Sequence, residues 1–237
     1  MIVGHRGASG YAPENTLPSF EKALACGANM IEFDVHLSKD DHLVVIHDPS
    51  VDRTTNGSGL IREMTLKQIK KLDAGSWFSP EFKGVTIPTF EETVNLIKGR
   101  AKFQIEIKNS DLYKDKELEE KLVKAVYDSG IREDSIITSF KFSSIKKIKE
   151  IDSRIRVALI FDNNPKDPWE DICSIRGEVL NPKWTWITSE KVQKAHDKGI
   201  LICTWVVNDI DKMRHLLALG VDGITTDFPD KLKSLFP

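Results

Sequence analysis

The chain has 237 residues, 40% of them hydrophobic, enough for one domain with a sizeable core. Its 34 Lys and Arg nearly balance 36 Asp and Glu, and a formal net charge of −2 excludes the basic field that a nucleic-acid partner needs. No apolar run approaches the roughly 20 residues that span a bilayer, no basic-then-apolar leader opens the chain, and the distant Cys26, Cys173 and Cys203 read as reduced thiols of a cytoplasmic protein.

In chain order, a short apolar strand over residues 2–5 leads to a helix over 16–26 that Gly27 should end. A second strand over 30–37 is followed by a polar turn and another apolar run, 43–47. A link this short permits an antiparallel hairpin but not a parallel crossover. Pairing across it sets His47 roughly opposite Phe33 and Asp34. Residues 48–87 break the rhythm, with the turn-rich Thr54-Thr55-Asn56-Gly57-Ser58-Gly59 and a short helix over 65–72. They read as an insertion in which Trp77, Phe78 and Phe82 pack as a mini-core, the alternative being a lipid-binding lip.

The rhythm then resumes. A helix over 89–98 opens with the capping-box pattern Thr89-Phe90-Glu91-Glu92. Strands over 103–107, 135–139, 156–161, 178–181, 201–206 and 222–226 alternate with helices over 116–128, 142–151, 169–175, 189–197, 210–219 and 230–235. Gly99, Gly130, Gly199 and Gly220 fall where helices should stop. Eight strand–helix units in order predict an α/β fold, a (β/α)8 TIM barrel: one domain over 1–237 with an insertion at about 48–87 over its mouth.

In such a barrel, chemistry sits at the C-terminal ends of the strands. His5, Asp34, Lys108, Asn181, Trp205 and Asp227 all lie at or just past such ends. Glu32 and Asp34 are two apart on a strand and share a face, as do Glu106 and Lys108. Three inward carboxylates on neighbouring strands fit a hard divalent ion, Ca2+ or Mg2+. The alternative is a buried network in which Lys108 and Arg6 offset their charge. His5 and His47, on adjacent strands among acids, have the chemistry of a general acid/base pair. His36 faces with Glu32 and Asp34 but should lie above them, at the surface or behind the site. Arg6 and Lys108 supply positive charge for a phosphate, or salt bridges to Glu14, Glu32 or Glu106. The small residues from Gly7 to Gly10 would let backbone approach a ligand.

Together, His5-Arg6-Gly7, Pro13-Glu14-Asn15-Thr16, Glu32-Phe33-Asp34-Val35, His47-Asp48, Glu106-Ile107-Lys108, Thr204-Trp205-Val206-Val207-Asn208 and the run from Gly220 to Asp227 resemble the glycerophosphodiester phosphodiesterase family. The resemblance implies a TIM barrel with a small insertion after the second strand. It implies hydrolysis of glycerophosphodiesters to glycerol 3-phosphate and an alcohol with a divalent ion, often Ca2+ or Mg2+. Carried over, His5 and His47 would be the acid/base pair, and Glu32, Asp34 and Glu106 the metal ligands. Arg6 and Lys108 would bind phosphate and Trp205 would line the glycerol pocket. The resemblance also suggests the substrate's own 2-hydroxyl as nucleophile. The rivals are a lysophospholipase D-type enzyme of the same fold and a non-catalytic phosphodiester-binding protein. The departing alcohol should meet loops 162–169 and 182–188, where Trp184 and Trp186 are either an aromatic wall for choline or core packing. Nothing in the sequence speaks to oligomeric state.

Overall fold

Inward and outward residues alternate along every barrel strand, and burial on both faces explains why these strands read as apolar runs. The computed structural model describes residues 1–108, 117–162 and 167–236. Its strands are β1 (Ile2–Gly4), β2 (Met30–Leu37), β3 (Leu43–Val45), β4 (Lys102–Ile107), β5 (Ser135–Ser139), β6 (Arg156–Phe161), β7 (Val179–Pro182), β8 (Leu201–Thr204) and β9 (Gly223–Thr226). They pair in the order β1-β9-β8-β7-β6-β5-β4-β2, and β1 pairs again with β2, so eight parallel strands close into a barrel. The third strand adds to the second antiparallel, with His36 opposite Val44 and Val35 opposite Val45. That is the hairpin expected from the short turn. Its register runs on past the strand, where Ile46 N–H donates to Asp34 O at 3.1 Å.

Helices α1 (Leu17–Ala25), α2 (Leu66–Ile69), α3 (Phe90–Ile97), α4 (Leu118–Asp128), α5 (Phe142–Ile151), α6 (Pro168–Ser174), α7 (Ser189–Asp197), α8 (Ile210–Ala218) and α9 (Pro229–Lys233) follow the strands. The first residue of the helix expected over 116–128 lies outside the described residues. The capping box at Thr89 forms as its pattern predicts, and Gly27 closes α1 at φ +85°. The main core lies between barrel and helices, where Phe20, Phe33, Phe90 and Phe103 are fully buried. Burying each such ring contributes about 1.5–3 kcal/mol. Inside the barrel a smaller apolar plug of Val3, Met30, Ile136, Ala158, Val179 and Cys203 fills the N-terminal end. Above that plug the interior turns polar.

The segment 48–87 runs between β3 and α3 and holds α2 and two 3-10 turns. Its core is aliphatic: Val51, Ile61, Ile69 and Ile87 pack on Val44 and Ile46. The expected aromatic mini-core is not there. Trp77, Phe78 and Phe82 instead meet edge to face near the surface, and Trp77 is 40% exposed.

Candidate active site

His5 leaves the end of β1 and its Nδ1 lies 2.7 Å from Asp227 Oδ1. Asp227 follows β9. Ser9 Oγ donates to it at 2.7 Å, and Asn208 both donates to its carboxylate and accepts its backbone N–H at 2.9 Å. Burial works to raise the Asp227 carboxyl, but these donors, His5 first, hold it at about 2. An ionised acceptor keeps the proton of the neutral imidazole on Nδ1 and leaves Nε2 as the basic nitrogen.

His47 repeats the device. Its Nδ1 lies 2.6 Å from Asp48 Oδ1, and Asp48 is held at about 2, chiefly by the hydrogen bond from Arg53. Desolvation pushes the His47 imidazole below its ordinary value, and Lys108 and Arg6 add to the push against Asp34. Arg53 donates to Asp48 Oδ2 at 2.7 Å and to both Glu14 oxygens at 2.8 Å, and Arg6 donates to Glu14 Oε1 at 2.8 Å. A chain of charge therefore runs from His47 through Asp48, Arg53 and Glu14 to Arg6.

The acids lie below. One oxygen each from Glu32, Asp34 and Glu106 fall within 4.8 Å of one another, and all three residues are buried. Arg6 N–H donates to Glu32 Oε2 at 2.8 Å, and Asn15 Nδ2 donates to Asp34 Oδ2 at 2.7 Å. Both Arg6 (φ +51°) and Asn15 (φ +56°) are left-handed, a strain of about 1–3 kcal/mol each that aims backbone and side chain at the acids. Lys108 Nζ sits 3.0 Å from Asp34 Oδ1 and also donates to Glu106. Desolvation opposes the charge on Asp34, but Lys108 and Arg6 overcome it and hold that carboxyl far below the usual range. Desolvation and the neighbouring acids push Glu32 well up, and Glu106 to about 7. The set therefore carries more acid than Lys108 and Arg6 can neutralise. All-oxygen donors and tight clustering fit a hard divalent cation, in the place where the Lys108 ammonium now meets Asp34 Oδ1.

Above the acids opens a cavity of about 150 Å³, which suits a small ligand and not a bulky one. His5, Arg6, Glu32, His47, Glu106 and Lys108 form its charged side. Phe140, Ile160, Trp205 and Val206 form an apolar wall, with Phe140 and Trp205 edge to face at 5.4 Å. A charged side facing an apolar wall suits a small anionic ligand with a hydrocarbon body.

A model of the glycerophosphoryl diester phosphodiesterase family matches residues 5–231. The chain belongs to that family. A glycerophosphodiester phosphodiesterase of Caldanaerobacter subterraneus is 39% identical over 236 residues, covering 99% of this chain and 97% of that one. One from Bacillus subtilis is 34% identical, covering 97% and 84%. Among solved structures, a glycerophosphodiester phosphodiesterase from Agrobacterium tumefaciens superposes with a TM-score of 0.87 at 31% identity, covering 98% of each chain. An Oleispira antarctica phosphodiesterase in complex with the product sn-glycerol-3-phosphate gives 0.88 at 29%, covering 98% and 94%. Membership in the phosphodiesterase family makes the chain an enzyme of the phosphoric diester hydrolase class.

For this family member, the residues expected at the site, His5, Arg6, Glu32, Asp34, His47, Glu106, Lys108 and Trp205, all converge, with Asp34 fully buried beneath the cavity. Three open points of the sequence reading are decided by the fold. His36 takes the second of its two expected places, behind the site: it is fully buried, and its Nε2 meets His47 O at 3.0 Å, propping the backbone beneath that imidazole. Gly7 faces α1 rather than a ligand, since a Cβ there would come 2.4 Å from Ser19 Oγ. Of the two readings of Trp184 and Trp186, packing holds: neither lines the cavity, and Trp186 packs on Phe161 and Trp169. Residues 163–166 of the expected alcohol loop lie outside the described residues. The spacing did not point to the clamping roles of Asp227, Asn208, Asp48 and Arg53. Asp227 carried a signal, standing one residue past β9; Arg53 carried none.

His36 makes a pH-dependent contribution to stability. Desolvation pushes its imidazole from 6.5 down to about 4. Above 6.5 both states are neutral and the contribution is full. As pH falls from 6.5 toward 4, only the unfolded chain takes the proton. Unfolding free energy should therefore drop by about 3 kcal/mol across that window and level off below it. The raised acids act in the opposite sense, so the quantity to measure is the difference in urea unfolding between wild type and His36→Gln. A pH-independent difference would overturn the assignment.

Proposed function

We propose that this enzyme hydrolyses glycerophosphodiesters to sn-glycerol 3-phosphate and an alcohol by paired-histidine general acid/base catalysis, with Ca2+ or Mg2+ on Glu32, Asp34 and Glu106. The observation that carries the reading is the pair of imidazoles in one acid-floored cavity, each with Nδ1 against an ionised carboxylate. The Oleispira relative, solved with sn-glycerol-3-phosphate as product, supports the same product here. The reading treats 1–237 as one catalytic domain with 48–87 as its insertion. Three unbridged cysteines support a reducing, cytoplasmic setting. Among the described residues no helix is long and apolar enough to cross a membrane.

When bound, the cation supplies Lewis-acid charge that polarises the phosphate. Arg6 takes a phosphate oxygen while Glu14 holds its far nitrogen. Lys108 pairs with Asp34 and Glu106 and supplies, beside Arg6, the second positive charge for a phosphate oxygen. One imidazole accepts the proton of the glycerol 2-hydroxyl as its oxygen attacks phosphorus. The other protonates the departing alcohol oxygen, and a five-membered cyclic phosphate results. Water opens that ring with the two histidines exchanging roles, which leaves sn-glycerol 3-phosphate.

Release of sn-glycerol 3-phosphate from glycerophosphocholine is the direct test. Faster cleavage of lysophosphatidylcholine would move the substrate class to lysophospholipids, and tight binding without turnover would make the protein a binder. Arg53 yields a finer expectation. Arg53→Met unties Asp48 from Glu14 and loosens His47 and Arg6 together, so kcat/KM should fall by up to about 10²-fold. The melting temperature should barely move, because the side chain is 44% exposed and surface ion pairs add little.

A further inference from the structure

The barrel interior changes character from bottom to top. Above the apolar plug, the inward positions of β2, β5, β7 and β9 are Glu32, Thr138, Asn181 and Thr225, all buried, with buried Gln104 beside them on β4. Thr138 is satisfied, its hydroxyl donating to Ala158 O at 3.1 Å. Asn181 Oδ1 and Thr225 Oγ1 have no hydrogen-bond partner, although both residues are 1% exposed and both line the cavity. A buried polar atom left unpaired costs more than an ordinary hydrogen bond gains. An apolar side chain is tolerated at the same level, since Ile160 stands there on β6. Two unpaired atoms in one cavity wall are therefore aimed at a ligand.

The chemistry of that ligand follows from what the charged side leaves unserved. This step rests on the phosphodiesterase reading above. Glycerol uses one oxygen in the phosphate ester and its 2-hydroxyl in the attack. In that reading His5, Arg6, His47, Lys108 and the acids serve the phosphate and the attacking hydroxyl, which leaves the remaining primary hydroxyl for the opposite wall. A neutral donor and acceptor matches an amide oxygen and a hydroxyl, and does not match a cationic or anionic head group. Trp205 closes over the same place, its Nε1 donating to Asn181 O at 2.9 Å. We propose that Asn181 and Thr225 form a subsite for the free primary hydroxyl of glycerol, which selects glycerol diesters over diesters that end there in a methyl group.

The test compares glycerophosphocholine with its analogue in which that CH2OH is CH3, the 2-hydroxyl being kept. Wild type should favour the glycerol diester in kcat/KM by about 10²-fold or more, because a site built to pair a hydroxyl rejects the analogue lacking it. Thr225→Val and Asn181→Leu should each bring the ratio toward one, with the loss falling on KM for the glycerol diester. Thr225→Ser, which keeps the hydroxyl, should restore the ratio; thermal melts verify that each variant is folded. Equal use of both diesters by wild type, or an unchanged ratio in folded Thr225→Val, would overturn the subsite while leaving the hydrolytic reading intact. Equal losses on both diesters would assign the two atoms to a structural water and overturn it too. Turnover of neither diester by wild type would overturn both readings.

Discussion

Replacing either His5 or His47 with alanine should lower turnover by about 10²–10⁴-fold and leave a folded barrel, because each proton-transfer step is worth that much. Neither ring belongs to the hydrophobic core: the side chains are 20% and 31% exposed. The melt should therefore change little while the rate collapses. The two variants should also resemble one another, since each imidazole gives in one half of the cycle what it takes in the other. Steady-state release of sn-glycerol 3-phosphate with circular dichroism on the same samples checks both statements. Near-normal turnover in either variant excludes the paired-histidine scheme.

Stripping divalent cations should abolish turnover, and Ca2+ or Mg2+ should restore it. The acids supply the reason. Glu32 and Glu106 are pushed above the usual carboxylate range by desolvation first and their acidic neighbours next. A cation removes that penalty and competes with protons for the same oxygens. Its affinity should accordingly weaken as pH falls through about 7, the Glu106 value, and strengthen above it. Titration calorimetry at two pH values reads this directly. Full activity in a chelator-treated, metal-free sample removes the cation from the reaction and leaves the acids as a charge network closed by Lys108 and Arg6.

Much of this molecule was legible in the residues. Eight apolar runs separated by capped, amphipathic segments allow few closed topologies, and the barrel follows. The turn at 38–42 is too short for anything but a hairpin, so His47 had to fall beside the acids. What stayed hidden depends on three-dimensional reach. Arg53 contacts Glu14 across 39 positions, and no local period announces such a pair. Alternation alone left His36 either at the surface or behind the site, and the hairpin backbone decides for burial by accepting its hydrogen bond. Aromatic rings at 77, 78 and 82 promised a core by composition; they do pack on one another, but the insertion's buried cluster is aliphatic.

His5 rides on β1 and its carboxylate partner follows β9, 222 positions later, across the seam where the first strand meets the last. A chain still emerging from the ribosome therefore has no competent centre until its final strand arrives. Turnover is thus a readout of ring closure, and C-terminal trimming that removes β9 silences the enzyme even where the earlier strands have already associated.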